Sequence, residues 1–132
     1  ADITGDRHDD APVRLVVDLA VTIGDTDADA HRRADELNSL SAQPYSSDAE
    51  IVVGSASTVA DRIAQWASLD GIDGVRLRPA ALPDDLTAIT RSVVPILQGR
   101  GLFRKSYAES TLRGRLGLSR PANLFTERVS AS

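Results

Sequence analysis

The stretch Val13-Arg14-Leu15-Val16-Val17-Asp18-Leu19-Ala20-Val21-Thr22-Ile23 decides the fold class. Positions 13, 15, 17, 19, 21 and 23 are all aliphatic and alternate with a mixed set. Successive side chains of a strand point to opposite faces. The pattern therefore predicts a β-strand with one wholly apolar face and one semi-polar face carrying Arg14, Asp18 and Thr22. Gly24-Asp25-Thr26 ends the strand, and Thr26 with Asp29 reads as an acidic capping box. Ala30, Ala34, Leu37 and Leu40 then recur at helical spacing, with Arg32, Arg33, Asp35 and Glu36 opposite them.

Further along, residues 41–50 are Ser, Pro, Tyr and acids, and form a loop. Ile51-Val52-Val53 is a short strand, Gly54 permits a tight turn, and Ser55 or Ser57 caps a second helix. Val59, Ala60, Ile63, Trp66 and Ala67 form its apolar stripe, and Gly71 ends it. Trp66 is thereby expected in the core. Ile72 to Arg78 is a second core strand. Pro83, Asp84 and Asp85 start the last long helix, which buries Leu86, Ile89, Val93 and Leu97 and should kink near Val94 because Pro95 follows. Alternating strands and helices predict an α/β fold with parallel pairing. A flexible acidic leader is expected over 1–12, the β/α units over 13–98, and a basic tail over 99–132.

The chain has 132 residues, no cysteine and no methionine. It therefore forms no disulfide and has no thiolate ligand or thiol nucleophile, which fits a reducing cytoplasm. No apolar run approaches the ~20 residues of a membrane span, so no membrane partner is expected. Residues 1–50 hold 12 acids and 4 arginines (−8), whereas residues 99–132 hold 7 bases and 2 acids (+5). The basic tail lacks the interleaved aromatics of a nucleic-acid channel, so its expected counterpart is an acidic protein surface and not nucleic acid.

Four residues stand out as site candidates, each with two readings open. Gly54 and Ser55 before a helix could hold a phosphate through free N–H groups, or be a plain glycine turn and serine cap. Arg76 and Arg78 share one face of a strand and would suit an anionic substrate, or pair with Asp73, Asp84 or Asp85. Asp18 is the one carboxylate of interest on the semi-polar face, with Arg14 or another group of that face as its expected partner. His8 and His31 have no companions at metal-ligand spacing, so no metal is expected.

The tail carries the most specific sequence of all: Gly99-Arg100-Gly101-Leu102-Phe103-Arg104-Lys105-Ser106-Tyr107, then Thr111-Leu112-Arg113-Gly114-Arg115-Leu116-Gly117-Leu118-Ser119-Arg120-Pro121-Ala122-Asn123. With Gly54-Ser55 and Asp73-Gly74-Val75-Arg76-Leu77-Arg78-Pro79, it resembles the carboxyl end of the luciferase-like flavin monooxygenases. The branch resembled is that of nitrilotriacetate and dibenzothiophene-sulfone monooxygenases. The resemblance runs from about Val13 to Asn123 and implies a partial (β/α)8 barrel: carboxyl-terminal strands and helices plus an extended tail. A whole barrel takes ~250 residues, so the length and the missing methionine read as a fragment.

The resemblance also implies reduced FMN and oxygen acting on a small organic substrate, with a flavin reductase as partner. Most flavin contacts of that family lie in strands before Val13. The chain alone is thus expected to be inactive and to bind FMN poorly, no catalytic residue is assigned within it, and Gly54 and Ser55 remain its cofactor-binding candidates. Arg76 and Arg78 remain its substrate-binding candidates. Tyr107, Arg113, Arg115, Arg120 and Asn123 belong to the tail, which in that family wraps the barrel and supports subunit contacts. The alternative function is a non-catalytic, truncated luciferase-like module acting through self-association or as a subunit. Either way the open sheet calls for a homo-oligomer or for the rest of the barrel on another chain.

Overall fold

The computed structural model describes residues 13–123. The leader at 1–12 with His8, and the tail beyond Asn123, lie outside the described residues. The described residues 13–104 make one compact unit, and the described residues 105–123 belong to a second.

In the first unit, β1 (Val16–Gly24) is the centre of a three-stranded parallel sheet of order β2-β1-β3. β2 spans Glu50–Ser55 and β3 spans Gly74–Pro79. The alternation predicted a start at Val13, yet β1 begins at Val16. Asp73 is the reason. Its carboxylate accepts the Leu15 N–H (2.8 Å) and the Arg14 guanidinium (2.8 Å), and its own N–H donates to Leu15 O. The same clamp delays β3 to Gly74, past the expected Ile72.

The odd side of β1 behaves as the alternation predicts. Leu19, Val21 and Ile23 form the core with Val52 of β2 and with Val59, Ala60 and Ile63 of helix α2 (Ala56–Ala67). Ser55 caps α2 by accepting the Thr58 N–H. Trp66 packs against the core half-buried, its indole N–H donating to Glu50 (2.8 Å) and the Arg62 guanidinium lying over the ring. Ala67 turns out to be exposed, being the last residue of the helix.

Helix α1 (Asp27–Ser39) starts where the alternation places it, with Thr26 accepting the Asp29 N–H. The turn into it is so tight that a Cβ on Gly24 would lie 2.4 Å from the Ala30 backbone nitrogen. Ala30 is buried, but Leu37 and Leu40 are exposed, Leu40 because the helix ends at Ser39. Consecutive barrel units would run 1-2-3 across a sheet, whereas here the second strand lies on the outer side of the first. Right-handed crossovers running in opposite directions, from β1 out to β2 and from β2 back across β1 to β3, put α1 and α2 on opposite faces. The side chains agree: α2 packs on the odd face, while Ala34 and Leu37 of α1 share a cavity with Thr22, Ile51 and Val53 of the even face.

The last helical stretch is divided as Pro95 requires. α3 (Asp84–Ala88) passes through a π-helical turn at Ile89–Val93 into α4 (Val94–Gly99). Proline has no N–H, and its ring clashes with the carbonyl four residues back in a regular α-helix. The wide turn, in which the Val94 N–H reaches Ile89 O, makes room for it. Ile89, Val93 and Leu97 are buried as expected, whereas Leu86 is half exposed, on the far side of that turn.

The second unit has its own local order. Thr111 caps α5 (Leu112–Arg115) by accepting the Gly114 N–H. Gly117, at φ 69°, lets the chain turn back so that the Leu118 N–H meets Arg113 O. Arg113 then donates to Ser119 O, Arg115 donates to Glu109 O, and the Arg115 guanidinium stacks 3.8 Å from the Tyr107 ring. The tail motif is thus a self-satisfying turn in which arginines answer loop carbonyls.

Candidate functional site

The even face of the sheet gathers the polar residues. Asp18, Ala20 and Thr22 of β1 stand level with Arg76, Arg78 and Ala80 on one side, and Ala20 and Thr22 with Ile51 and Val53 on the other. The sequence candidates Arg76 and Arg78 are therefore together, on the face shared with Asp18. Arg76 holds Asp18 with two donors, Nε at 2.8 Å and a closer Nη2. Arg78 bonds Asp48 at 2.8 Å and passes Asp18 at 3.8 Å. None of Asp73, Asp84 and Asp85 is the partner of either. Asp18 does not pair with Arg14, which the Asp73 clamp has taken.

The loop 41–49 lies beside this row, pinned at two points. Its Tyr45 N–H donates to Asn38 Oδ1 (2.8 Å), and Asp48 is the ligand of Arg78. The guanidinium holds the Asp48 carboxyl below the usual carboxylate range. Between this loop, α1 and the carboxyl ends of the strands lies a cavity of about 300 Å³. Thr22, Ala34, Leu37, Tyr45, Ile51 and Val53 are among its lining residues. Crevices at the carboxyl ends of parallel strands are where open α/β sheets place their ligands.

Gly54 and Ser55 sit elsewhere, at the end of β2. A Cβ on Gly54 would lie 2.7 Å from the Thr58 methyl and 3.1 Å from Asp27 Oδ1. The Ser55 N–H donates to that same Asp27 oxygen at 2.6 Å, and the Thr58 hydroxyl joins it at 2.7 Å. These donors hold the Asp27 carboxyl below its ordinary range, the Ser55 N–H most strongly. The turn already carries a carboxylate, supplied from α1.

Sequence reasoning read Asp85 as a helix starter and missed its main role. Asp85 is fully buried and accepts the Ile23 N–H (2.9 Å), the Ala81 N–H (2.8 Å) and Arg33 Nη1 (2.5 Å). Arg33 also donates to Ile23 O. This network welds the end of β1 to α1, α3 and the loop after β3. The only available signal was an arginine in an otherwise polar helix stripe, which is too common to find it.

Among the described residues, no group of three or more His, Asp or Glu could hold a metal, and no helix is long and apolar enough to cross a membrane. His31 lines a groove along β2.

No family profile matches the chain. N-acetyl-S-(2-succino)cysteine monooxygenase of Bacillus subtilis (strain 168) is 39% identical over 77 residues, 58% of this chain and 18% of its own length. Nitrilotriacetate monooxygenase component A of Aminobacter aminovorans is 43% identical over 70 residues, 53% of this chain and 16% of its own. The solved EDTA monooxygenase of Chelativorans sp. BNC1 superposes with a TM-score of 0.66 at 28% identity, over 80% of this chain and 36% of that one. The chain thus spans less than a fifth of these two curated relatives. Its α/β architecture with a three-stranded parallel sheet is consistent with a partial barrel, and its homologues, which match part of the chain, are luciferase-like monooxygenases.

Proposed function

We propose that this chain is the carboxyl-terminal part of a flavin-dependent monooxygenase acting on a small organic substrate. In this reading it supplies one wall of the substrate site and the signature tail. The observation that carries the reading is the 39–43% identity to monooxygenases over more than half of the chain. The even face adds a physical reason, since it joins an apolar cavity to two arginines where such sheets bind ligands. Reduced FMN, delivered by a separate reductase, supplies the oxygen-activating chemistry when bound. The residues of this chain exclude water and orient the substrate, with Arg76 and Arg78 at its polar end.

The turn at Gly54 and Ser55 does not fit a flavin phosphate as it stands, because the Asp27 carboxylate occupies the Ser55 N–H and repels a second anion. In this proposal Gly54 and Ser55 build the entry to α2, and the flavin is held by other strands. The proposal keeps a leader, a β/α body and a tail as the working divisions of the chain. It places the enzyme in a reducing cytoplasm, with the cysteine-free sequence as support. Flavin fluorescence titration tests it. The pure 132-residue chain is expected not to quench FMN stoichiometrically, whereas co-expression with the amino-terminal portion of a relative is expected to restore flavin binding. Tight binding by the chain alone, or none by the pair, overturns it.

The open sheet edges support the further statement that the chain is not a lone monomer. Among the described residues β2 and β3 each lack a partner on one side, and Leu15, Val16 and Ile51 are exposed. A second copy or the rest of the barrel would cover them. Light scattering is expected to give a species above 14 kDa, and a salt-insensitive 14 kDa species refutes self-association.

A further inference from the structure

We propose that the cavity on the even face binds a small organic anion. Its apolar body would lie among Ala34, Leu37, Ile51 and Val53, and its anionic group would replace the Asp48 carboxylate on Arg78. The proposal rests on reading this face as the substrate side, and it names the substrate class and the residue that admits it.

At about 300 Å³ the cavity falls at the lower end of small-molecule sites, which are mostly apolar with a few placed polar groups. Thr22 supplies one such group. It is 3% exposed and lines the cavity. Its hydroxyl makes no hydrogen bond among the described residues, while every fully sealed side-chain polar atom among them has a partner. The hydroxyl therefore opens into the cavity.

Arg78 supplies the charge. It lies two residues before Ala80, which lines the cavity, and on the same side of β3, about 7 Å lower along the strand. Neither Arg78 nor Asp48 lines the cavity while they hold each other; released from Asp48 and turned along the strand, the Arg78 side chain is long enough to span that distance.

The two arginines differ in what they hold. Arg76 grips Asp18, a strand residue only 24% exposed, with two donors. Arg78 holds Asp48, a loop residue 87% exposed, with one. An exposed pair of that kind contributes little to stability, so its carboxylate is free to exchange. Swapping one carboxylate for another on the same guanidinium is close to balanced. The deciding free energy is then the apolar body leaving water for the cavity. Asp48 acts as a resident competitor, and its departure unpins one of the two fixed points of the loop 41–49.

Amide chemical-shift titration of the full chain with benzoate, and with uncharged benzamide, tests this. Benzoate is expected to shift the amides of Thr22, Ala34 and Val53 and to bind roughly tenfold more tightly than benzamide, as one charge-assisted hydrogen bond predicts. Asp48→Asn, at an exposed position, is expected to tighten benzoate binding several-fold. Arg78→Gln is expected to reduce benzoate to the level of benzamide. Equal binding of the two probes, shifts confined to other residues, or an Asp48→Asn variant that binds benzoate no better overturns the proposal. If Arg78→Gln fails to fold, the Asp48→Asn arm still decides. No flavin enters this titration, so its failure removes the anion site and leaves the monooxygenase reading to the flavin experiment.

Discussion

The odd side of β1 asks its neighbours only for volume, and the even side asks for particular groups. Leu19, Val21 and Ile23 meet α2, the π turn and α4 through dispersion and loss of water, so any well-shaped apolar set would serve. Asp18 and Thr22 meet named partners instead: Asp18 the Arg76 fork, Thr22 an open cavity. The difference separates two jobs within a single strand. Close packing is concentrated on the odd side, which leaves the other side free to keep exposed charges and a void.

One network joins the two sides, and breaking it should have the largest effect. Asp85 receives three donors at the carboxyl end of β1, one of them Arg33 from the even-face helix. Asp85→Ala would leave the Arg33 charge, the buried Ile23 N–H and the part-buried Ala81 N–H without this acceptor. We expect a loss of about 3–5 kcal/mol in urea denaturation. A loss near zero would mean that α1 and α3 are not held through this carboxylate, and that the two faces are joined elsewhere.

The comparison itself is tested next by paired substitutions three residues apart. Leu19→Ala removes a fully buried side chain from the odd-face core and should cost about 2–5 kcal/mol. Thr22→Val keeps the volume and deletes a hydroxyl that has no partner among the described residues, so stability should be unchanged or slightly raised. Equal losses at the two positions would erase the distinction between the faces.

How much of this was legible in the sequence follows the same division. The alternation over Val13–Ile23 was enough to place β1 and its apolar side, because burial of one face is a period-two pattern. The break before Pro95 was legible because proline imposes a local rule. The strand ends were not, since they depend on Asp73 and Leu15 meeting across 58 residues of chain. The candidate site was half legible. Arg76 and Arg78 were seen to share a face, but their partners Asp18 and Asp48 could not be chosen among many carboxylates. The cavity was invisible, because it arises from α1 crossing to the face opposite α2, a consequence of strand order that composition does not encode.

An acid titration sharpens the edge between the faces. Glu50, on β2, takes the Arg62 guanidinium and the Trp66 N–H, and Arg62 above all holds its carboxyl below the ordinary range. A carboxylate lowered in the folded state adds stability that is complete above its unfolded pKa and is lost as pH falls through the folded pKa. Tm should therefore fall as pH drops below about 4. Glu50→Gln should flatten part of that fall while leaving Thr22 and its neighbours spectroscopically unchanged. An identical pH profile in the variant would show that Glu50 is not the link between β2 and α2.

The smallest effect is expected at the most conspicuous pair. Arg76 grips Asp18 with two hydrogen bonds, which on paper looks like a strong contact. Yet the Arg76 side chain is 67% exposed, and exposed pairs are weakened by water and screened by salt. Arg78 stands 3.8 Å from the same carboxylate and can answer part of its charge. Arg76→Gln should therefore move Tm by roughly 3 °C or less, and 0.5 M salt should remove most of even that difference. A large, salt-resistant drop would mean that the even face is a second structural core. The separation of a packed face from a polar one across β1 would then fail at its most polar point.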